Sequence, residues 1–288
     1  MLLFDLREPI NAWSHGAGMV LAMPVTWVLW KRCTGPNDCS NLGQGYGSAR
    51  YQWVKALCLL VFGVTLMLCY GISALFHAVR QSGELLGQLQ RLDHVGIYLL
   101  IAGTYTPVAW SLMRGSWWWG TLTTVWTVAL VCAARVWCGG VMPMWVSTLI
   151  YLTMGWGALF CYFELAKTYS HRTLLPLPLG GMFYSVGAVL NLARWPVLFP
   201  GVFAAHELFH FFVIAGSACH IVFMLDVVIP SQGPAALPQV TNPSRPLRKP
   251  MWASMLRQGC LTQPHFPRRS WMRDLLPTRA GSHTVDQT

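Results

Sequence analysis

Two histidines stand four residues apart in the run His206-Glu207-Leu208-Phe209-His210, and Ser73 stands four residues before His77. On a helix this spacing puts both side chains of a pair on one face, one turn apart, so His206 and His210 can bind a single metal ion. A third imidazole, His77, with a carboxylate nearby, makes three protein ligands and an open fourth position, the arrangement of catalytic rather than structural zinc. Imidazole nitrogens suit Zn2+, and no cysteine falls at the same depth to suggest a thiolate site. His220 follows His210 by ten residues, about 15 Å along a helix, and cannot share that metal. For His220 and His15 the expectation is a hydrogen bond to a neighbouring helix.

The elements that must carry these residues are apolar. Of the 288 residues 54% are hydrophobic and 10% charged, with 15 Trp and a mean hydropathy of +0.44, where a soluble domain carries about 25% charge. This excludes a disordered chain, argues against a soluble enzyme and implies a polytopic all-α membrane protein. The formal charge of +10 does not point to a nucleic-acid partner, because 8 of the 20 Lys and Arg lie beyond position 230 in a segment unlike the rest. Seven spans are expected, at about 10–30, 54–77, 94–113, 117–137, 143–163, 175–194 and 202–229. They form a seven-helix transmembrane bundle, residues 1–230. Short polar breaks such as Gly35-Pro36-Asn37-Asp38 separate them, and Trp117-Trp118-Trp119 beside Arg114 suits an interfacial aromatic belt. Residues 231–288 shift to Pro, Ser, Gln and Arg and read as a disordered basic tail. The tail is expected to be a solvated extension, with contact to anionic lipid headgroups as the alternative.

An ionisable group costs about 2.5–3.5 kcal/mol at the centre of a span. Nine such groups stand in or near the expected spans: His15, His77, Asp93, His94, His206, Glu207, His210, His220 and Asp226. Odd-numbered spans begin, and even-numbered spans end, on the membrane face of the N-terminus. That rule alone gathers His15, His77, Asp93, His94, His206 and His210 on one face. Asp93 has two plainer roles open to it, pairing with Arg91 or capping span 3, and Ser73 has one, a bond to the carbonyl four residues earlier.

The stretches Asn11-Ala12-Trp13-Ser14-His15-Gly16, Ser73-Ala74-Leu75-Phe76-His77, Arg91-Leu92-Asp93-His94-Val95-Gly96 with its continuation to Pro107, and His206-Glu207-Leu208-Phe209-His210 closely resemble the hemolysin III family. That family is related to the progestin and adipoQ receptors and more distantly to alkaline ceramidases. The resemblance implies a seven-helix bundle holding zinc through His77, His206 and His210, with Asp93 matching the acidic residue that holds the water at the metal and Ser73 the serine beside it. The loop from Cys33 to Tyr51 and the long basic tail depart from the usual bacterial pattern.

The leading functional expectation is a zinc-dependent hydrolase of a lipid amide or ester bond. Asp93 would orient or deprotonate water and Ser73 would bond the developing oxyanion. A membrane lipid fits a site at this depth, because an acyl chain can arrive from the side. The alternatives are a receptor or pore-forming cytolysin with structural zinc and, last, an intramembrane metalloprotease using Glu207 as base, since His206-Glu207-x-x-His210 spells the zincin motif. Adiponectin-receptor-like relatives have the N-terminus and the zinc on the cytosolic side, which is the expected orientation here, in the plasma membrane. Cys33 and Cys39 would then lie outside, where a disulfide can form.

Overall fold

A computed structural model describes residues 6–35, 46–80 and 82–231. Cys39 and the tail after Ser231 lie outside the described residues, and with them the expected disulfide and the expected disorder. The described residues contain helices and no β-strand: α1 (Pro9–Thr34), α2 (Tyr46–Ala78), α3 (Glu84–Leu112), α4 (Ser116–Gly139), α5 (Met144–Trp156), α6 (Ala158–Ala166), α7 (His171–Leu174), α8 (Pro176–Ala193) and α9 (Ala205–Phe223), which ends in a π-helical turn, Met224–Val228.

Six stretches are long and apolar enough to cross a membrane: Arg50–Ala78, Glu84–Leu112, Ser116–Gly139, Met144–Ala166, His171–Ala193 and Ala205–Val228. Large side chains such as Trp27, Leu130, Val131, Leu149, Phe160 and Phe163 stand exposed on the outside of the bundle. So wide an apolar surface is stable only against lipid. α1, 26 residues long, is long enough to span but more polar, with Asn11, His15 and Thr26 all turned inward and buried.

Neighbours in sequence are neighbours in space along α1, α2, α3 and α4, α9 packs against both α8 and α1, and α3 is the most enclosed of the spanning helices. Small residues set the close crossings. A Cβ on Gly96 of α3 would stand 3.2 Å from the Cα of Cys69 on α2, so a larger residue there would push the two helices apart by a few tenths of an ångström. The wall formed by α5 is different, because it touches α3 and α8 only sparsely. Span 5 is also broken at Gly157 between α5 and α6, where one continuous helix is expected. Tyr105 of α3 donates its hydroxyl to the Met154 carbonyl at 2.7 Å, which satisfies backbone exposed by the break.

At the far end of the bundle from the histidines, Lys55 is buried and donates to the carbonyls of Ile229 at 2.7 Å and Ser231 at 2.8 Å. A cation is favourable there because the last carbonyls of a helix have no partner within it.

Candidate metal centre

The N-terminal segment builds one side of the site. The backbone N–H groups of Arg7 and Glu8 donate to the carbonyls of Ala78 and His77, at 3.4 and 3.0 Å. These bonds supply partners to the open end of α2 and latch the start of α1 against it. Pro9 then opens α1 at a position where its missing N–H costs nothing. Glu8, Asn11 and Ser14 follow at helical spacing and turn the same way, towards His77 and α9.

His77, His206 and His210 meet as expected. One ring nitrogen from each lies within 4.8 Å of the others, and the Nε2 atoms of His77 and His206 are 3.4 Å apart. Two nitrogens around a tetrahedral zinc, each bonded at about 2.0–2.1 Å, stand about 3.3 Å from one another. His77 and His210 are each 2% exposed, which excludes solvent as their partner.

The outward nitrogens settle which tautomer each ring adopts. His77 Nδ1 donates to Glu8 Oε2 at 2.6 Å, since a carboxylate can only accept. Ser14 gives its hydroxyl hydrogen to the Asn11 carbonyl at 3.0 Å and is left to accept from His210 Nδ1 at 3.2 Å. His206 Nδ1 donates to Asn191 Oδ1 at 3.2 Å. Each ring therefore carries its hydrogen on the outer nitrogen and aims an Nε2 lone pair inward. Two lone pairs at 3.4 Å cannot bond one another, and a cation between them resolves the conflict. The buried histidine trio is thus chemically suited to hold a metal ion.

Glu8 lies at the edge of this group. The hydrogen bond to His77, against the cost of partial burial, holds its carboxyl down to about 2. Asn11 ties it to α9 by donating to Glu8 Oε2 at 3.1 Å and to Glu207 Oε1 at 2.8 Å. The other Glu207 oxygen accepts the Ala204 N–H at 2.8 Å. Both oxygens of Glu207 are occupied in capping α9 and joining it to α1, and Glu207 is not among the convergent groups.

Asp93 and Ser73 line the same cavity as His206 and His210. Asp93 stands outside the three-nitrogen group, with His77, His94 and Ser73 as its electrostatic neighbours. Ser73 is buried and lacks the bond to a carbonyl four residues back that Thr104, Thr106 and Ser185 make. The third spanning helix starts about ten residues before the expected position 94. α3 begins at Glu84, so Asp93 lies more than two turns inside the helix and does not cap it. Arg91 is not its partner either, because the guanidinium donates to the Trp137 carbonyl at 3.1 Å. His94 bonds the Gln90 carbonyl at 2.9 Å.

Among the described residues, the expected interhelical hydrogen bonds of His15 and His220 are absent. His15 stacks on His210 at 3.8 Å and leans at a tilt against Tyr70 at 4.8 Å, and neither nitrogen has a partner among the described residues. His220 stacks on Tyr184 at 5.5 Å. From His206 and His210 an apolar cavity extends inward past Leu100, Tyr105, Val213 and Tyr184 to His220.

Residues 5–221 match the family described as haemolysin-III related. The chain belongs to that family. Among similar proteins, Hemolysin-3 of Bacillus cereus is 31% identical over 80% of this chain and 96% of its own length. A Hemolysin-3 homolog of Bacillus subtilis is 31% identical over 75% of this chain and 92% of its own. More distantly, the ADIPOR-like receptor IZH2 of Saccharomyces cerevisiae is 25% identical over 62% of each chain.

Sequence reasoning assigned no role to Glu8, Asn11, Ser14 or Asn191. A signal existed for the first three, since polar residues three apart at the start of an apolar helix mark one polar face. For Asn191 there was none, because its meeting with His206 depends on how α8 packs against α9.

Proposed function

We propose that this chain is a seven-span membrane protein that hydrolyses an amide or ester bond of a membrane lipid at a zinc ion held by His77, His206 and His210. The supporting observation is a histidine trio with lone pairs inward, of which His206 and His210 line the end of a cavity that is apolar beyond them. A water-soluble substrate gains nothing from such a cavity, whereas an acyl chain is buried there at about 25 cal/mol per Å². The sparsely packed wall of α5 gives the chain a lateral way in. The seventh span is α1, which packs closely along the spanning helix α2.

Zinc, when bound, supplies a Lewis acid for a lipid carbonyl and brings the pKa of a water towards about 7. The rest falls to the chain's own residues. Asp93 orients the attacking water and takes its proton at the carboxylate. Ser73, with no competing back-bond, offers its hydroxyl to Asp93 or to the developing oxyanion. His15, stacked on His210, fixes the plane of that ring. The metalloprotease alternative is disfavoured because Glu207 is held by Ala204 and Asn11. A receptor would use the same cavity without turnover. By resemblance to the adiponectin-receptor-like proteins, the face bearing Glu8 and the histidines is assigned to the cytosol, across the plasma membrane.

The test is release of free fatty acid from a labelled ceramide-like lipid by reconstituted protein, with and without a chelator. Asp93→Asn should keep the metal and lose about 10²-fold or more in rate, the scale of general-base assistance. Ser73→Ala should lose less. Metal bound without turnover of any lipid would favour the receptor, and a wild-type rate in Asp93→Asn would sink the mechanism.

A further inference from the structure

The deep end of the cavity is not wholly apolar. His220 lines it and is 9% exposed, yet no protein group bonds its ring nitrogens among the described residues, and Nδ1 is sealed from solvent without a partner. Its position is shaped by neighbours rather than accidental. Tyr184 stacks against one side of the ring. Gly180 makes room for it, since a Cβ there would stand 2.9 Å from His220 Nε2. The polar groups next to it are already committed, because Tyr70 donates to Ser217 at 2.8 Å and Tyr184 bonds the same hydroxyl at 2.9 Å. A buried imidazole with no bond is costly, and the cost is removed when something entering the cavity supplies one.

We infer that His220 reads a hydroxyl carried partway along the acyl chain, so that the substrate class is a lipid with a mid-chain hydroxylated acyl group. This rests on the lipid-cavity reading above. Distance selects the middle of the chain: His220 lies ten residues beyond His210 on the same helix, about 15 Å from the end where a carbonyl would sit. Chemistry selects a neutral group, because Leu100, Val108, Val213 and the other apolar side chains lining the cavity offer nothing to compensate a carboxylate or an amine. An imidazole serves a hydroxyl as donor or acceptor in its neutral form.

The experiment is displacement of a fluorescent fatty acid from the purified, metal-loaded full chain by three competitors: stearate, stearate with a mid-chain hydroxyl, and stearate with the hydroxyl next to the carboxyl. The mid-chain isomer should bind about five- to tenfold tighter than the other two, the worth of one satisfied hydrogen bond. In His220→Leu the order should invert, because the hydroxyl is then buried without a partner. His220→Gln, which keeps a donor and an acceptor, should restore part of the preference. Metal content and thermal midpoint report whether each variant is folded. Equal binding of all three competitors to the wild-type protein overturns the inference whatever the variants do, while the lipid cavity stands. Failure of every competitor to displace the probe overturns the lipid reading itself, and this inference with it.

Discussion

Removing the Glu8 side chain tests whether the carboxylate beside His77 serves the metal or only the fold. The bond from His77 Nδ1 to Glu8 Oε2 is 2.6 Å, within the range of strong charge-assisted bonds. It fixes the ring orientation and makes the inner nitrogen a better ligand. Loss of such an outer partner costs about 10–100-fold in metal affinity, or about 1.4–2.7 kcal/mol. The Glu8 side chain is 39% exposed, so water can take its place, and the lower end of that range applies. Glu8→Ala should therefore weaken zinc binding by about tenfold. Glu8→Gln should weaken it less, because the amide oxygen still accepts from His77 but without the charge. Asn191→Ala removes a longer, neutral bond to His206 at 3.2 Å and should cost about threefold. Zinc competition against a chelator of known affinity, on the full chain in lipid nanodiscs, measures all three. Wild-type affinity in Glu8→Ala, or a larger loss in Asn191→Ala than in Glu8→Ala, would refute the assigned tautomers and with them the inward-facing lone pairs.

Purified protein should hold about one zinc per chain by elemental analysis, and Ala at His77, His206 or His210 should remove it while His220→Ala should not; full occupancy in the His77→Ala, His206→Ala double variant would sink the assignment. Glu8 is held at about 2 against an ordinary 4.5, so its contribution to stability is complete above pH 4.5 and fades as pH falls towards 2. The difference in thermal midpoint between metal-free wild type and Glu8→Gln should accordingly be constant from pH 7 to 5 and shrink below that, and a difference that grows on acidification would contradict the sign. Glu207→Gln should lower the thermal midpoint through the cap of α9 and leave lipid turnover nearly intact, whereas loss of turnover with unchanged stability would revive the protease. Cys138 is exposed at the end of α4, on the face of the histidines, so with Cys39 and Cys260 replaced by Ser it should react with an impermeant thiol reagent only in permeabilised cells; labelling in intact cells would reverse the orientation.

Much of the site could be read along the chain because lipid makes the rules simple. Apolar runs must be helices, helices alternate in direction, and ionisable groups are too costly to be scattered. Those three facts placed His77, His206 and His210 on one membrane face before any packing was known, and the i, i+4 spacing of the last two allows them to share one metal ion. Ser73 and Asp93 were expected beside them, and both line the cavity that His206 and His210 line. What the chain alone could not fix was everything that depends on how helices touch. Asp93 was expected at the mouth of span 3, but the polar stretch from Glu84 to Gln90 proved helical, and the apolar pattern carried no mark of that extension. The break at Gly157 is stabilised by Tyr105, a residue from a different helix. The outer partners of the three imidazoles come from α1, α8 and the segment before α1, and the His220 ring fits where it does because Gly180 of α8 lies opposite it. Residue type and spacing decide which atoms can ligate or react; the crossing of helices decides which of those atoms find partners and which are left facing a cavity.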